Sequence, residues 1–290
     1  MQRSFLLLLL FFSLSAVSAT AQPVHEPMTK PEWIAPFPPF RIAGNLYYVG
    51  TQDLGCYLIT TSSGYILINT GLAASAPQIF NNIRALGFDS SRIKILLTTQ
   101  AHYDHVGAMA EIKKKTGARL LADAADAPVL KSGGTNDYEM GGKGALFVPV
   151  APDRLLHDKD TIHLGDATLT MLHHPGHTKG SCSYLFTTKD SSRSYRVLIA
   201  NMPTIIVDRA FKEVKEYPQI AADYAYTLHA MKGLSFDIWV ASHASQFQLS
   251  DKQKVGDAYH PQAFSDRAEY DQELAELQAE YVEKMTKEKR

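Results

Sequence analysis

Gln100, His102, Asp104 and His105 fall within six residues, in the order Gln-Ala-His-Tyr-Asp-His. Two imidazoles, a carboxylate and an amide oxygen at that density suit a borderline-soft divalent metal, zinc above all. A polar surface loop accounts for one isolated histidine. It accounts poorly for two histidines flanking an aspartate directly after an apolar run. In an extended segment Gln100, His102 and Asp104 project to one side, and His105 joins them only if the chain turns. Two further histidines follow strand-like runs: His177 in Pro-Gly-His-Thr and His243 in Ser-His. A zinc centre that does chemistry usually keeps three protein ligands and leaves a position for water. The six candidates therefore divide naturally into two sites of three, Gln100/His102/His177 and Asp104/His105/His243. His25, His157, His163, His229 and His260 lie in polar contexts and are expected to be bystanders. Strand alternation lets at most one of His173 and His174 face the site.

Such a grouping needs strands whose ends meet at one edge. Ile93–Leu97, interrupted by Lys94, reads as a buried strand that delivers the first four candidates at its carboxyl end, where open α/β sheets bind ligands. Before it come short β-type runs at 42–49, 56–60 and 65–69, broken by Gly or Ser turns. Residues 76–86 have helical spacing, with Ile79, Ile83 and Leu86 on one face and a stop at Gly87. A helix over 106–115 and a strand over 119–122 follow. Segment 131–147 contains five glycines and little periodicity. A long glycine-rich stretch in a compact domain is more often functional than filler, which suggests a mobile flap over a site. The second half follows the same pattern, with strands at 167–172, 181–187, 196–200 and 236–241 and a helix at 219–231. In the C-terminal helix Tyr270, Leu274, Leu277 and Tyr281 share one face, so it should dock. Strand-heavy then helical text in each half favours two sheets face to face with helices outside, built as one domain over 22–290. The Pro-rich segment 22–39 reads as an extended arm.

With 290 residues and a 45% hydrophobic fraction, the chain can bury a sizeable core. The net charge is −1, with no basic bias that would suggest nucleic acid or an anionic membrane as partner. Met1–Ala21 has a positive n-region at Arg3, an apolar run Phe5–Phe12 and an Ala-Thr-Ala cleavage site, the pattern of a cleaved signal peptide. The expected mature protein begins near Gln22, is soluble and resides in the periplasm. An exported compartment permits a disulfide, but the only two cysteines, Cys56 and Cys182, sit in strand-like runs where small buried thiols are common. Free thiols are expected.

The motifs Gln100-x-His102-x-Asp104-His105, Gly176-His177-Thr178 and Ser242-His243 resemble the metal motifs of the metallo-β-lactamase superfamily, across nearly the whole mature chain. The superfamily usually opens this motif with His. Gln100 in its place, the run Ala200-Asn201-Met202-Pro203-Thr204 and the stretch from His173 to Ser183 are similar to the GOB-type enzymes of the third subclass of class B β-lactamases. The resemblance implies an αββα sandwich of two mixed sheets. It also implies zinc-dependent hydrolysis of the β-lactam amide by a metal-activated hydroxide, without an acyl-enzyme, by a protein expected to be monomeric. Asp104 would bind metal and orient the nucleophile. Thr204 would contact substrate, and Met202 would line the pocket, standing where thioesterases of the superfamily place a metal-bridging Asp. Asn69 replaces a usual Asp that supports a ligand by hydrogen bonding. An amide oxygen is a poorer zinc donor than imidazole, so one or two zinc ions are expected, with the Asp104/His105/His243 site favoured. The alternatives are a lactone or thioester hydrolase of the same superfamily, and a non-catalytic periplasmic zinc-binding protein.

Overall fold

A computed structural model describes residues 24–288. The leader expected at Met1–Ala21 lies outside them. The strands are β1 (Phe40–Ala43), β2 (Leu46–Tyr48), β3 (Tyr57–Thr61), β4 (Gly64–Ile68), β5 (Ile93–Leu97), β6 (Arg119–Asp123), β7 (Arg154–Leu156), β8 (Thr161–Leu164), β9 (Ala167–His173), β10 (Cys182–Lys189), β11 (Ser194–Ala200) and β12 (Ile238–Ala241). The helices are α1 (Pro31–Ile34), α2 (Ala76–Ala85), α3 (Tyr103–Val106), α4 (Met109–Thr116), α5 (Ala127–Ser132), α6 (Ile220–Lys232), α7 (Leu249–Lys252) and α8 (Arg267–Lys287). One sheet has seven strands in chain order, β1 to β7; the other has five, in the order β12-β11-β10-β9-β8. Both are mixed: β4, β5, β6 and β7 run parallel, as do β11 and β12, while the remaining neighbours are antiparallel.

Period-two alternation separates the layers. Ile66, Ile68, Ile95 and Leu97 point into the core shared with Leu169, Met171, Tyr184 and Val197 of the second sheet. Leu67, Leu96 and Leu120 point the other way, onto Ile79 and Ile83 of α2 and Met109 and Ile112 of α4. The central strand β4 is buried at every position, as a strand covered on both faces must be. Beyond the second sheet, α8 docks through Tyr270, Leu274 and Leu277. These layers are the expected αββα sandwich.

Local departures have local causes. The run expected over 42–49 breaks into β1 and β2, because Gly44 turns the chain at φ +53°. The single helix expected over 106–115 is two pieces, α3 and α4, separated at Gly107 and Ala108. Strands β7 and β8 fall in text with too few apolar residues to declare themselves. The arm is not simply extended: α1 buries Trp33 against the body of the protein. Cys56 and Cys182 are buried free thiols.

Gly107 is a glycine because nothing larger fits. Its φ is helical, but a Cβ there would lie 2.4 Å from Ala73 N and from the Leu72 carbonyl carbon. That approach seats α3, which bears Asp104 and His105, against the loop after β4, with Gly107 N donating to Gly71 O at 2.8 Å. Gly107→Ala is expected to destabilise the protein by about 1–3 kcal/mol through overpacking. Urea unfolding reads the change, and an unaltered midpoint would contradict the close packing.

Candidate metal centre

The site forms where strand ends from both sheets meet. The chain leaves β5 at Leu97, bends through 99–102 and enters α3 at Tyr103. That turn separates the alternating set. Gln100 and His102 lie in the bend before the helix, whereas Asp104 and His105 lie on the first turn of α3 and meet His243. His177 lies in the connection from β9 to β10, and His243 directly follows β12.

The structure brings the histidines together in two pairs, each with ring centroids 4.9 Å apart: His102 with His177, and His105 with His243. In the first pair, His102 Nδ1 faces His177 Nε2 at 3.1 Å. His177 Nδ1 is 2.8 Å from the Thr204 carbonyl, which can only accept, so that nitrogen carries the proton and Nε2 presents a lone pair. His102 Nε2 lies 3.3 Å from Asp137 Oδ2, outside hydrogen-bonding geometry but near enough for the carboxylate charge to favour a proton on that nitrogen. Two lone pairs cannot face each other unattended at 3.1 Å; a proton or a metal cation must lie between them. Burial, with His102 beside it, pushes the His177 pKa down to about 3. For His102, burial lowers the pKa but the Asp137 carboxylate outweighs it, and the net shift is upward. Gln100 is buried two residues before His102, and its Oε1 has no hydrogen-bond partner among the described residues.

In the second group Asp104, His105 and His243 offer ligand atoms all within 4.8 Å of one another. Asp104 Oδ2 is 3.2 Å from His105 Nε2 and 3.4 Å from His243 Nε2. Burial alone would raise the Asp104 pKa, yet the two imidazoles hold it well below the ordinary carboxylate range. His243 Nδ1 is turned to Asp53 Oδ2 at 3.1 Å, and although burial opposes charge, Asp104 and Asp53 carry its pKa up to about 9. Both His105 ring nitrogens are buried without a hydrogen-bond partner among the described residues. Unpartnered donor atoms and backed imidazoles fit zinc at Asp104/His105/His243, and the facing nitrogens of His102 and His177, with Gln100 buried earlier on the same loop, fit a second ion by the chemistry of the atoms present.

The other sequence candidates sort differently. Asn69, at φ +62°, makes no side-chain hydrogen bond to a histidine among the described residues. Its Oδ1 accepts from Thr99 N at 2.9 Å and from the hydroxyls of Thr98 and Thr99, and its Nδ2 donates to Gly55 O and Thr99 Oγ1. It holds the chain just ahead of Gln100. Thr204 lines the cleft, but its carbonyl and hydroxyl also sit on His177 Nδ1, which gives it a structural duty beside any contact with substrate. Met202 corrects the expectation that it lines the pocket: it is 1% exposed and belongs to the core between the layers. His173 pairs with Asp123 at 2.7 Å and His174 with Ser183 Oγ at 2.8 Å, and neither lines the cleft.

Several residues that brace the site gave no signal in the sequence. Asp53 holds His243, Ser245 N and Trp33 Nε1 at once. Trp33 brings the N-terminal arm onto the site, its ring 5.7 Å from that of His243, so that Met28 and Lys30 join the cleft lining. Asp126 ties the two loops of the first group together: it accepts from Ala101 N, Thr178 Oγ1 and Gly180 N, each at 2.8 Å. A Cβ on Gly180 would lie 2.5 Å from Asp126 N. Burial pushes the Asp126 pKa up to about 6, with Asp123 adding to it and the Thr178 and Gly180 donors opposing. A lone Asp or Trp in unpatterned text carries no mark of such a role; only proximity reveals it.

A family model described as the metallo-β-lactamase superfamily matches residues 56–189. A solved class B3 di-zinc metallo-β-lactamase, LRA-12, from an Alaskan soil metagenome is 66% identical, with a TM-score of 0.89 over 90% of this chain and 99% of that one. The metallo-β-lactamase GOB-18 from Elizabethkingia meningoseptica is 59% identical, with a TM-score of 0.91 over 92% of this chain and 100% of that one. Among curated relatives, a hydroxyacylglutathione hydrolase of Rhodopseudomonas palustris is 32% identical over 132 residues, 44% of this chain and 44% of the relative. The chain thus spans less than half the length of that relative.

Asp126→Ala is expected to cost about 3 kcal/mol, because it strands two buried amides and a hydroxyl at about 1–3 kcal/mol each before relaxation. Asp126→Asn, which keeps an acceptor, should cost less. Denaturant unfolding of the metal-free protein measures both, and a loss below about 1 kcal/mol for the alanine variant would remove the brace.

Proposed function

Because the chain belongs to the metallo-β-lactamase superfamily, and within it to class B3, we propose that it is a zinc-dependent β-lactamase that opens the β-lactam ring by hydrolysis. The observation that carries this reading is the meeting of Asp104, His102, His177 and His243, from three separate loops, in the lining of one open cleft. Gln100/His102/His177 and Asp104/His105/His243 are the residues that would hold zinc. Zinc held there would supply Lewis acidity and lower the pKa of water to about 7.

The chain's own groups supply the rest. Asp104 lies between the His105 and His243 imidazoles and lines the cleft, placed to hold metal and to orient an attacking water. Asp53 and Thr204 O keep His243 and His177 with their Nδ1 protons turned outward, so that both Nε2 atoms face inward. Thr204 Oγ1 is 3.0 Å from His177 Nδ1, but that nitrogen already donates to the Thr204 carbonyl and cannot act as base for the hydroxyl. The hydroxyl is thus not activated as a nucleophile, which fits direct attack by water. Trp33, Met140 and Ile206 give the cleft apolar walls, and among the described residues Lys30 is the one lysine or arginine that lines it, suited to the carboxylate of a β-lactam. The partial match to a glutathione thioester hydrolase keeps the thioester alternative as a control substrate.

The purified protein is expected to hydrolyse a chromogenic cephalosporin, to lose that activity to a chelator and to regain it with zinc. Activity should rise mainly with the first equivalent, taken by Asp104/His105/His243. Full activity only at two equivalents would argue against an enzyme that works with one zinc, and hydrolysis of a thioester with no β-lactam turnover would favour the alternative. Asp104→Asn is expected to lower kcat by about 10²-fold or more, on the scale of losing a group that stabilises developing charge. Near-wild-type turnover by that variant would take Asp104 out of the chemistry.

A further inference from the structure

We propose that the glycine-rich segment 131–147 is a wall of the metal site, in which Asp137 and Tyr138 are positioning residues that set the zinc affinity of Gln100/His102/His177 alone. The inference rests on the zinc reading above and is independent of which substrate is hydrolysed.

These two neighbours in sequence reach one histidine each. Asp137 is 7% exposed, and its Oδ1 accepts from Glu139 N at 2.9 Å and Met140 N at 2.7 Å. The carboxylate is thereby fixed by its own turn, with Oδ2 left 3.3 Å from His102 Nε2. Tyr138 OH donates to the His177 carbonyl at 2.8 Å. The turn is anchored from behind. The Tyr138 ring packs edge-on against Tyr217 at 5.1 Å, and Arg209 reaches Glu139 Oε2 at 2.5 Å and Tyr138 O at 3.2 Å. The segment also closes on itself through Gly142 N to Thr135 O and Leu146 N to Gly133 O. An adaptable cover would keep its polar groups free for substrate; this segment directs them to the histidines.

Selectivity follows from the partition of carboxylates. Asp137 stands behind His102, and Asp53, from the connection between β2 and β3, stands behind His243. Each group has its own backing residue on its own loop. An imidazole whose far nitrogen faces a carboxylate keeps its proton there and offers its near nitrogen to a metal. In Asp137→Asn, Oδ1 can still cap Glu139 and Met140. The amide nitrogen then faces His102 Nε2 and demands an acceptor, which moves the proton to Nδ1, the atom that must bind metal.

The test titrates the metal-free full chain with zinc against a chromophoric chelator, in wild type, Asp137→Asn and Tyr138→Phe, with Gln100→Ala marking which binding phase belongs to this group. Asp137→Asn is expected to weaken that phase about 10–100-fold, the usual effect of losing a partner behind a ligand, and to leave the other phase unchanged. Tyr138→Phe, which keeps its ring against Tyr217, should weaken the same phase by a smaller factor. Unchanged affinities in both variants, equal losses in both phases, or uptake of a single equivalent by the wild type would overturn the proposal. Should Asp137→Asn fail to fold, Tyr138→Phe decides alone. A failure of β-lactam hydrolysis leaves this titration intact, and a failed titration leaves the hydrolysis assay intact.

Discussion

Buried imidazole lone pairs aimed at one another govern this structure. His102 Nδ1 and His177 Nε2 face each other at 3.1 Å, and two more imidazoles converge on one Asp104 oxygen. In a low-dielectric interior such an arrangement is unfavourable until positive charge fills it. The surroundings must therefore do two things: prevent the rings from turning away, and keep their protons on the outer nitrogens. Asp53, Asp137 and the Thr204 carbonyl do the second by standing behind three of the four histidines.

The first task falls to the loops, and their stiffness comes from polar groups committed to backbone. Asn69 holds Thr98 and Thr99, Asp126 joins the loop bearing His102 to the loop bearing His177, and Ser242 bonds Thr99 beside His243. The second sheet adds its own grip on the same stretch, through Cys182 N to Thr99 O and Tyr184 OH to Thr98 O, both at 2.8 Å. A loop tied this thoroughly loses little further freedom when a ligand binds, which is what preorganisation means for a metal site. Stability and function are thus coupled: the residues that pin the loops are buried and lie outside the chemistry.

Two segments that read as peripheral turn out to be central. The Pro-rich arm carries Trp33, whose indole donates to Asp53 at 3.0 Å and covers His243, and it sets Lys30 at the cleft. The glycine-rich stretch carries Asp137 and Tyr138 to the opposite pair of histidines. The site is therefore walled on two sides by chain that contributes no ligand, and the two walls back different imidazoles.

Local chemistry made much of this molecule legible. The alternation in β4 and β5, the helical face of α2 and the docking face of α8 follow from side-chain spacing, since burying a stripe has only a few solutions. The density of metal-type side chains between Gln100 and His105 announced zinc chemistry, because few other arrangements justify burying them. The order of the strands, the turn at His102 that parts Gln100 and His102 from Asp104 and His105, and the burial of Met202 depended on tertiary packing. So did the recruitment of Asp53, Asp126 and Asp137. Each of these three is a single carboxylate in unpatterned surroundings, and its role arises only from an imidazole or amide brought to it across the fold. Residue order was enough to nominate candidate ligands, of which the structure gathers Asp104, His105 and His243 around one point. Folding settled which nitrogens face inward, because proton placement on a histidine is set by the partner on its far side.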